Sequence, residues 1–303
     1  MFQYITADVL PLSPRLKKYC LTNPDFLLKV SVTNSEDLDG EAGEKFNLVM
    51  HDLRMGGAWK RTSSGRLKET ERVLIKSLAA AYGQQATLLD IGASNGITTW
   101  EAVRELRKHL GFEIKAVLAD LYLYLLRFRR GPVIESRTGD REPVMVRAGR
   151  LGLRLAKHRR TVQEAPDSLV ALYFRMENFR NNMRLEARIP LIHPLTRAEA
   201  AITAVEMNCL ERKNEFLNSL ETVRASNVLN NDYFTSDQIR TAVSHLHAYL
   251  KPGGCLVVSR NNDVAGGEVE HGTVWMRRPR NFERVEDFND GSEVSGIIDT
   301  WTL

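Results

Sequence analysis

The residues best placed to do chemistry lie in one short stretch, Leu88-Leu89-Asp90-Ile91-Gly92-Ala93-Ser94-Asn95-Gly96. An apolar run, an acid and a set of small residues make a tight turn between a strand and a helix. Such a turn lets a ligand approach backbone N–H groups at the helix start. Three chemistries can be weighed on it. A dinucleotide pyrophosphate asks for G-x-G-x-x-G. Here the spacing is Gly92-x-Ser94-x-Gly96, with an acid two residues ahead of the first glycine that would repel a pyrophosphate. A nucleophile elbow asks for G-x-S-x-G. Gly92 to Gly96 matches it literally, and Asp263 and His271 follow in triad order, but no His-Gly-Gly oxyanion segment precedes it. The third is a phosphate-free ligand with a cationic centre, for which an acid at the strand tip makes sense.

These residues need elements to hold them. Thr87–Ile91 is a short apolar run stopped by Gly92, as in a strand buried on both faces of a parallel sheet. Ile97 to Leu110 has helical spacing, and Ile114–Ala119 is a second strand ending at Asp120, which completes a βαβ unit. Ala201–Met207 and Glu221–Leu229 read as the third and fourth strands. Thr235 to Leu250 reads as a helix capped by Thr235 or Ser236 and stopped at Lys251-Pro252-Gly253-Gly254. Cys255–Ser259 is the fifth strand, and Val274–Arg277 and Ile297–Trp301 supply the last two. Residues 1–85 read as a helical N-terminal cap. Its clearest helix is Lys68–Ala81, with Ser63-Ser64 ahead of it and Gly83 after; residues 37–43 and the Gly56-Gly57 pair read as loops. Residues 86–303 form the core. It is interrupted by a small, basic, antiparallel β insert over 122–160, with strands Tyr122–Phe128 and Pro143–Arg150 around a turn at Thr138-Gly139-Asp140, and by a helix over 166–185. The expected fold is α/β, a doubly wound, seven-stranded, mostly parallel sheet with a helical N-terminal extension.

The first motif resembles that of class I S-adenosylmethionine-dependent methyltransferases: apolar, apolar, acid, apolar, Gly-x-small-x-Gly. Ser94 stands where that family often has glycine. The resemblance implies S-adenosylmethionine as cofactor, with Asp90 acting on its ammonium through water or backbone and Gly92, Ala93, Ser94 and Gly96 forming the floor. It implies Asp120, with Leu121 beside it, at the ribose hydroxyls, which call for two acceptor oxygens. Asn208, after the third strand, would meet the adenine amine, and Asn227, after the fourth, would face cofactor and acceptor. Leu250-Lys251-Pro252-Gly253-Gly254 is similar to the turn before the family's fifth strand. Asn227-Val228-Leu229 and Tyr233-Phe234 are distantly similar to chemotaxis receptor methyltransferases, with Ser226 where those carry an arginine. The Rossmann-like resemblance covers residues 80–303 apart from the insert.

Methyl transfer from a sulfonium depends largely on positioning, and an acidic acceptor also needs a base. His193, His271 and Tyr233 are the candidates for that role, whereas His245 and His247 sit within a helix and read as packing residues. Gly56-Gly57-Ala58-Trp59 reads as part of a lid, and the cap and insert as the walls of an acceptor pocket. Two other outcomes stay open: a serine hydrolase using Ser94, and a cofactor-binding module without turnover. The 303 residues carry a net charge of +4 and a mean hydropathy of −0.30. From Arg127 to Arg160 there are eleven Lys/Arg against Glu135, Asp140 and Glu142. That segment, with Arg129, Arg130, Arg147, Arg150, Arg154 and Lys157-His158-Arg159-Arg160, points to an acidic small-molecule or carrier-linked acceptor or to a solvated, salt-bridged module. Few aromatics interleave with it, which argues against a nucleic-acid platform. Cys20, Cys209 and Cys255 are too few and too scattered for a disulfide framework or a metal site. No run of about 18 apolar residues would span a membrane, so a soluble, cytoplasmic protein is expected.

Overall fold

A computed structural model of the chain describes residues 3–5, 20–21, 24–30, 36, 41–56, 58–60, 62–81, 85–149, 151–155, 167–264 and 267–303. The chain divides into two units, residues 63–121 with 195–303, and residues 1–62 with 122–194.

The first of these units is built on seven strands: β1 (Gln85–Ile91), β2 (Glu113–Asp120), β3 (Ile202–Glu206), β4 (Leu220–Ser226), β5 (Leu250–Val264), β6 (Gly267–Arg277) and β7 (Phe282–Phe288). Their order is β3-β2-β1-β4-β5-β6-β7. β1 to β5 run parallel, and β6 and β7 are added as an antiparallel meander. The sheet is the doubly wound α/β arrangement that the sequence predicts, with the reversal of winding between β1 and β4. Because successive side chains alternate between faces, Leu88 and Leu89 enter different cores. Leu88, Ala116 and Val257 pack with Val73, Leu74 and Leu78 of α1 (Lys68–Ala81) and with Ala102, Val103 and Leu106 of α2 (Ile97–Leu110). On the other face Leu89, Val223 and Leu256 meet α3 (Ser236–Tyr249) through Ile239, Val243 and Leu246, and meet Ile298 and Trp301 near α4 (Ser295–Asp299).

Local chemistry explains most boundaries. Thr235 caps α3 through a reciprocal capping box with Gln238. α2 starts at Gly96 and ends at Gly111, both left-handed. The amide ends of α1 are met by Glu270 of β6, which accepts from the Glu69 and Thr70 N–H groups. Ser64, ahead of that helix, donates to Glu101. The stretch 297–301 is not a strand: Ser295–Asp299 is helical, and the seventh strand is Phe282–Phe288.

The other unit carries an antiparallel sheet far larger than the expected insert. Its order is Arg184–Pro190, Tyr124–Arg130, Val133–Arg137, Pro143–Ala148, Leu151–Arg154, Gln3–Ile5, Cys20–Leu21, with only the last pair parallel. The N-terminal region therefore supplies strands as well as helix, the latter at Glu41–Asp52. The expected helix over 166–185 is two short helices, Asp167–Arg175 and Glu177–Asn181, followed by a strand from Arg184. Glu135 is fully buried among Arg137, Arg180 and Tyr173. Among the described residues no helix is long and apolar enough to cross a membrane. Arg150, Lys157-His158-Arg159-Arg160, Gly57, Gly83 and residues 37–40, which carry several sequence-based expectations, lie outside the described residues, as do the side chains of Arg154 and Asp263.

Candidate functional site

The β1–α2 turn needs its glycines for two separate reasons. Gly92 and Gly96 have φ of 70° and 78°, the left-handed region that favours glycine. A Cβ at Gly92 would also lie 2.6 Å from Cβ of Val228, and one at Gly96 would lie 2.0 Å from Cδ1 of Leu118. The turn is pinned to the end of β2. Gly92 and Ala93 donate to the Ala119 carbonyl, and the Ser94 amide donates to Asp120 Oδ2 at 2.8 Å. Asn95 Oδ1 accepts from the amide of Ile97, the first residue of α2, at 3.0 Å.

Several residues singled out in the sequence therefore meet at the carboxyl ends of the central strands. Gly92, Ala93, Ser94 and Gly96 adjoin Asp120. The Met207 amide donates to the Asp120 carbonyl and brings the start of the Asn208 loop alongside. The turn after β4 abuts Gly92 through Val228. Leu121 stands 45% exposed beside Asp120. Asn227 has a φ of 61°, donates its amide to Ser259 O, and exchanges hydrogen bonds with Asn261: Asn227 Nδ2 to Oδ1 at 2.9 Å, and the Asn261 amide to Asn227 Oδ1 at 2.8 Å. Asn208 shapes its own loop, accepting from the Leu210 amide at 3.0 Å.

Asp90 differs from its expected role. It is 1% exposed, and both its oxygens are taken: Arg224 of β4 grips it through Nε (2.9 Å) and Nη2, and Thr99 donates to Oδ2. The acid at the strand tip is an internal counter-ion, not a free carboxylate facing a ligand. Arg224 is the residue that the sequence reading missed. Its signal was an arginine in the middle of a strand covered on both faces, where a charge needs a buried partner. Glu71 of α1 lies in the same electrostatic neighbourhood. Burial raises its carboxyl to about 7, with Glu101, Glu105 and Glu270 adding to the rise and Arg224 opposing it.

The proposed bases fare unequally. His193 is fully buried in the other unit, with its ring edge-on to Phe46 at 4.9 Å. His271 lies on β6 opposite Arg260, one step beyond the Ser226–Ser259 pair at the sheet edge. Its Nδ1 accepts from the Asp290 amide at 3.2 Å. The Asp290 carboxylate lies 3.2 Å from the same nitrogen. Tyr233 is 43% exposed in the loop after β4. His245 and His247 of α3 hydrogen-bond to the carbonyls of Cys209 and Arg278, as packing residues do. Burial pushes the Cys209 thiol up to about 11 and raises that of Cys255, which leaves both poor nucleophiles. Ser94 has the positive φ of an elbow, 58°, yet its Oγ is buried and bonds to no described residue. An elbow exposes that atom to its histidine. Gly56 lies in the turn of a small hairpin, Arg54–Met55 with Ala58–Trp59, in the other unit.

No family model matches the chain, and no curated protein matches it. Solved structures similar to it include the CurJ carbon methyltransferase, at 15% identity over 65% of this chain and 35% of that one, with a TM-score of 0.33. The CMeT domain of the citrinin polyketide synthase is 14% identical over 74% of this chain and 40% of that one, with a TM-score of 0.34. The N-methyltransferase NodS from Bradyrhizobium japonicum, in complex with S-adenosyl-L-homocysteine, is 14% identical over 64% of this chain and 62% of that one, with a TM-score of 0.30. The chain thus spans well under half the length of the first two. Its own strand order and its pinned glycine turn give it a Rossmann-like, doubly wound α/β fold with a seven-stranded, mostly parallel sheet.

Proposed function

We propose that the chain is an S-adenosylmethionine-dependent methyltransferase acting on a small-molecule or carrier-linked acceptor. The observation that carries this reading is the meeting of the Gly92–Gly96 turn with Asp120 at the carboxyl ends of β1 and β2, beside the β1/β4 reversal. Open α/β sheets bind ligands at that switch point. The residues present suit the cofactor. Asp120, 7% exposed, offers a carboxylate where a diol would lie, and Leu121 offers an exposed apolar flank for a base. Gly92 and Gly96 let the backbone approach closely, and the buried Ser94 Oγ lines the same turn. Bound there, the cofactor supplies a methyl carbon already activated by the sulfonium. The chain's part is to orient it against an acceptor. Tyr233 and His271 belong to the same edge and would contact that acceptor, as the candidates for its base.

Calorimetric titration with S-adenosylmethionine and S-adenosylhomocysteine tests the reading. Wild type should bind both in the micromolar range. Asp120→Ala should weaken both by about tenfold or more, the cost of about 1–3 kcal/mol expected when a charged acceptor is lost from a polar ligand. A folded wild type that binds neither would refute the proposal. Hydrolysis of a p-nitrophenyl ester that disappears in Ser94→Ala but survives in Asp120→Ala would put the serine hydrolase in its place.

A further inference from the structure

We infer that Arg224 is the positioning residue of the cofactor turn, acting through Asp90 and Thr99. The inference rests on the proposed function and adds a residue to its machinery. Arg224 is fully buried in the middle of β4, in register with Asp90 on the neighbouring β1. Side-chain alternation puts both on the sheet face covered by α1 and α2. Nε and Nη2 hold the two oxygens of Asp90, and Nη2 comes within 3.5 Å of Thr98 Oγ1. Thr99, in the first turn of α2, donates to the same carboxylate. One guanidinium thus ties together the tip of β1, the middle of β4 and the start of α2, and the Gly92–Gly96 turn is the segment spanned between two of those anchors.

Two features say that this clamp does more than fill the core. A buried ion pair is weak grounds for stability, because well-packed apolar side chains serve as well. And the pair is incomplete: Nη1 is buried with no hydrogen-bond partner among the described residues, a state that costs free energy. What the pair provides is a fixed, bidentate geometry under the turn. Lysine, a point charge on a flexible stem, cannot reproduce it.

The test compares wild type, Arg224→Lys and the charge-free pair Asp90→Asn/Arg224→Gln, full-length and without ligand. Amide hydrogen exchange and calorimetric binding of S-adenosylhomocysteine are read on each. In Arg224→Lys, exchange should speed up across residues 92–99 and stay unchanged in α3, and binding should weaken about tenfold or more, as a displaced binding group predicts. The double variant leaves no unpaired charge. It should fold even if Arg224→Lys does not, and should show the same loosened turn and weakened binding. A merely structural residue would change the melting temperature and the exchange of the whole sheet together and leave affinity at the wild-type value; that result, in either variant, overturns the inference. Failure of wild type itself to bind overturns the proposed function and this inference with it. Normal wild-type binding with unchanged variants overturns the inference alone.

Discussion

At the residue scale, glycines with positive φ separate into two kinds, and substitution should tell them apart. Gly96 has both a left-handed backbone and a filled Cβ position, whereas Gly111 has φ of 70° with nothing within 4 Å of a Cβ. Gly111→Ala should cost only the backbone strain, about 1–2 kcal/mol. Gly96→Ala should add overpacking of about 1–3 kcal/mol against Leu118 and also disturb the turn that holds Asp120. Urea denaturation of the two variants checks the difference, and equal costs would mean that the contact with Leu118 relaxes freely. These glycines were legible in the sequence because the chemistry of a tight turn restricts residue type. The fate of Asp90 was not, because an acid before a glycine turn reads the same whether it faces a ligand or an arginine three strands later in the chain. Ser94 was ambiguous for a similar reason: its left-handed φ serves an elbow or a cofactor turn, and only the burial of Oγ separates them.

At the element scale, what the sequence made plain was governed by local rules. β1, α2 and β2 follow from alternation and helical spacing, and α3 from Thr235 and the Pro-Gly-Gly stop. The misplaced seventh strand and the strand at Arg184–Pro190 depend on distant pairing. Phe282–Phe288 is half-exposed and rich in charge, so its apolar signal is weak until β6 is beside it. The same packing makes two groups titrate in opposite senses. Burial of His247 on α3 lowers its pKa. The folded chain then binds its proton later than the unfolded chain, whose histidine titrates near 6.5. Its contribution to stability is complete above that value and fades as pH falls below it. Glu71 on α1 is raised from 4.5 to about 7. Its contribution is complete below pH 4.5 and is lost as pH rises through about 7. Urea midpoints measured from pH 5 to 9 should therefore fall at both ends. His247→Gln should flatten the acid limb and Glu71→Gln the alkaline one. An alkaline limb unchanged by Glu71→Gln would show that its carboxyl ionises freely in the folded chain.

At the scale of the whole molecule, the +8 segment from Arg127 to Arg160 reads in the sequence either as a surface for an anion or as a salt-bridged module. In the structure acids meet it, Asp25 and Glu186 from elsewhere in the chain and Glu135 from within the segment. Asp25 receives Arg127 and Arg147, Glu186 receives Arg127 and Arg129, and Glu135 holds Arg137 together with Arg180. Arg137 also lies over an aromatic ring, 4.1 Å from Phe128, and Arg130 lies 4.7 Å from Phe179. Asp25 and Glu186 lie outside the basic segment, so no local count of charge could anticipate their pairing. Binding to a polyanion depends on cations free to displace counter-ions, and these described arginines are engaged with acids or rings. Arg127, Arg129, Arg130, Arg137 and Arg147 should then add little to the chain's retention on heparin. Asp25→Asn with Glu186→Gln raises the formal charge of +4 by two and releases three arginines, Arg127, Arg129 and Arg147, at once. Elution should shift to clearly higher salt than those two charges would produce when removed from Glu177 and Glu215, which are exposed and in no ion pair among the described residues. An equal shift from the two double variants would mean that the arginines are already available to an anion in the native protein. The basic segment would then return to consideration as an acceptor or carrier surface.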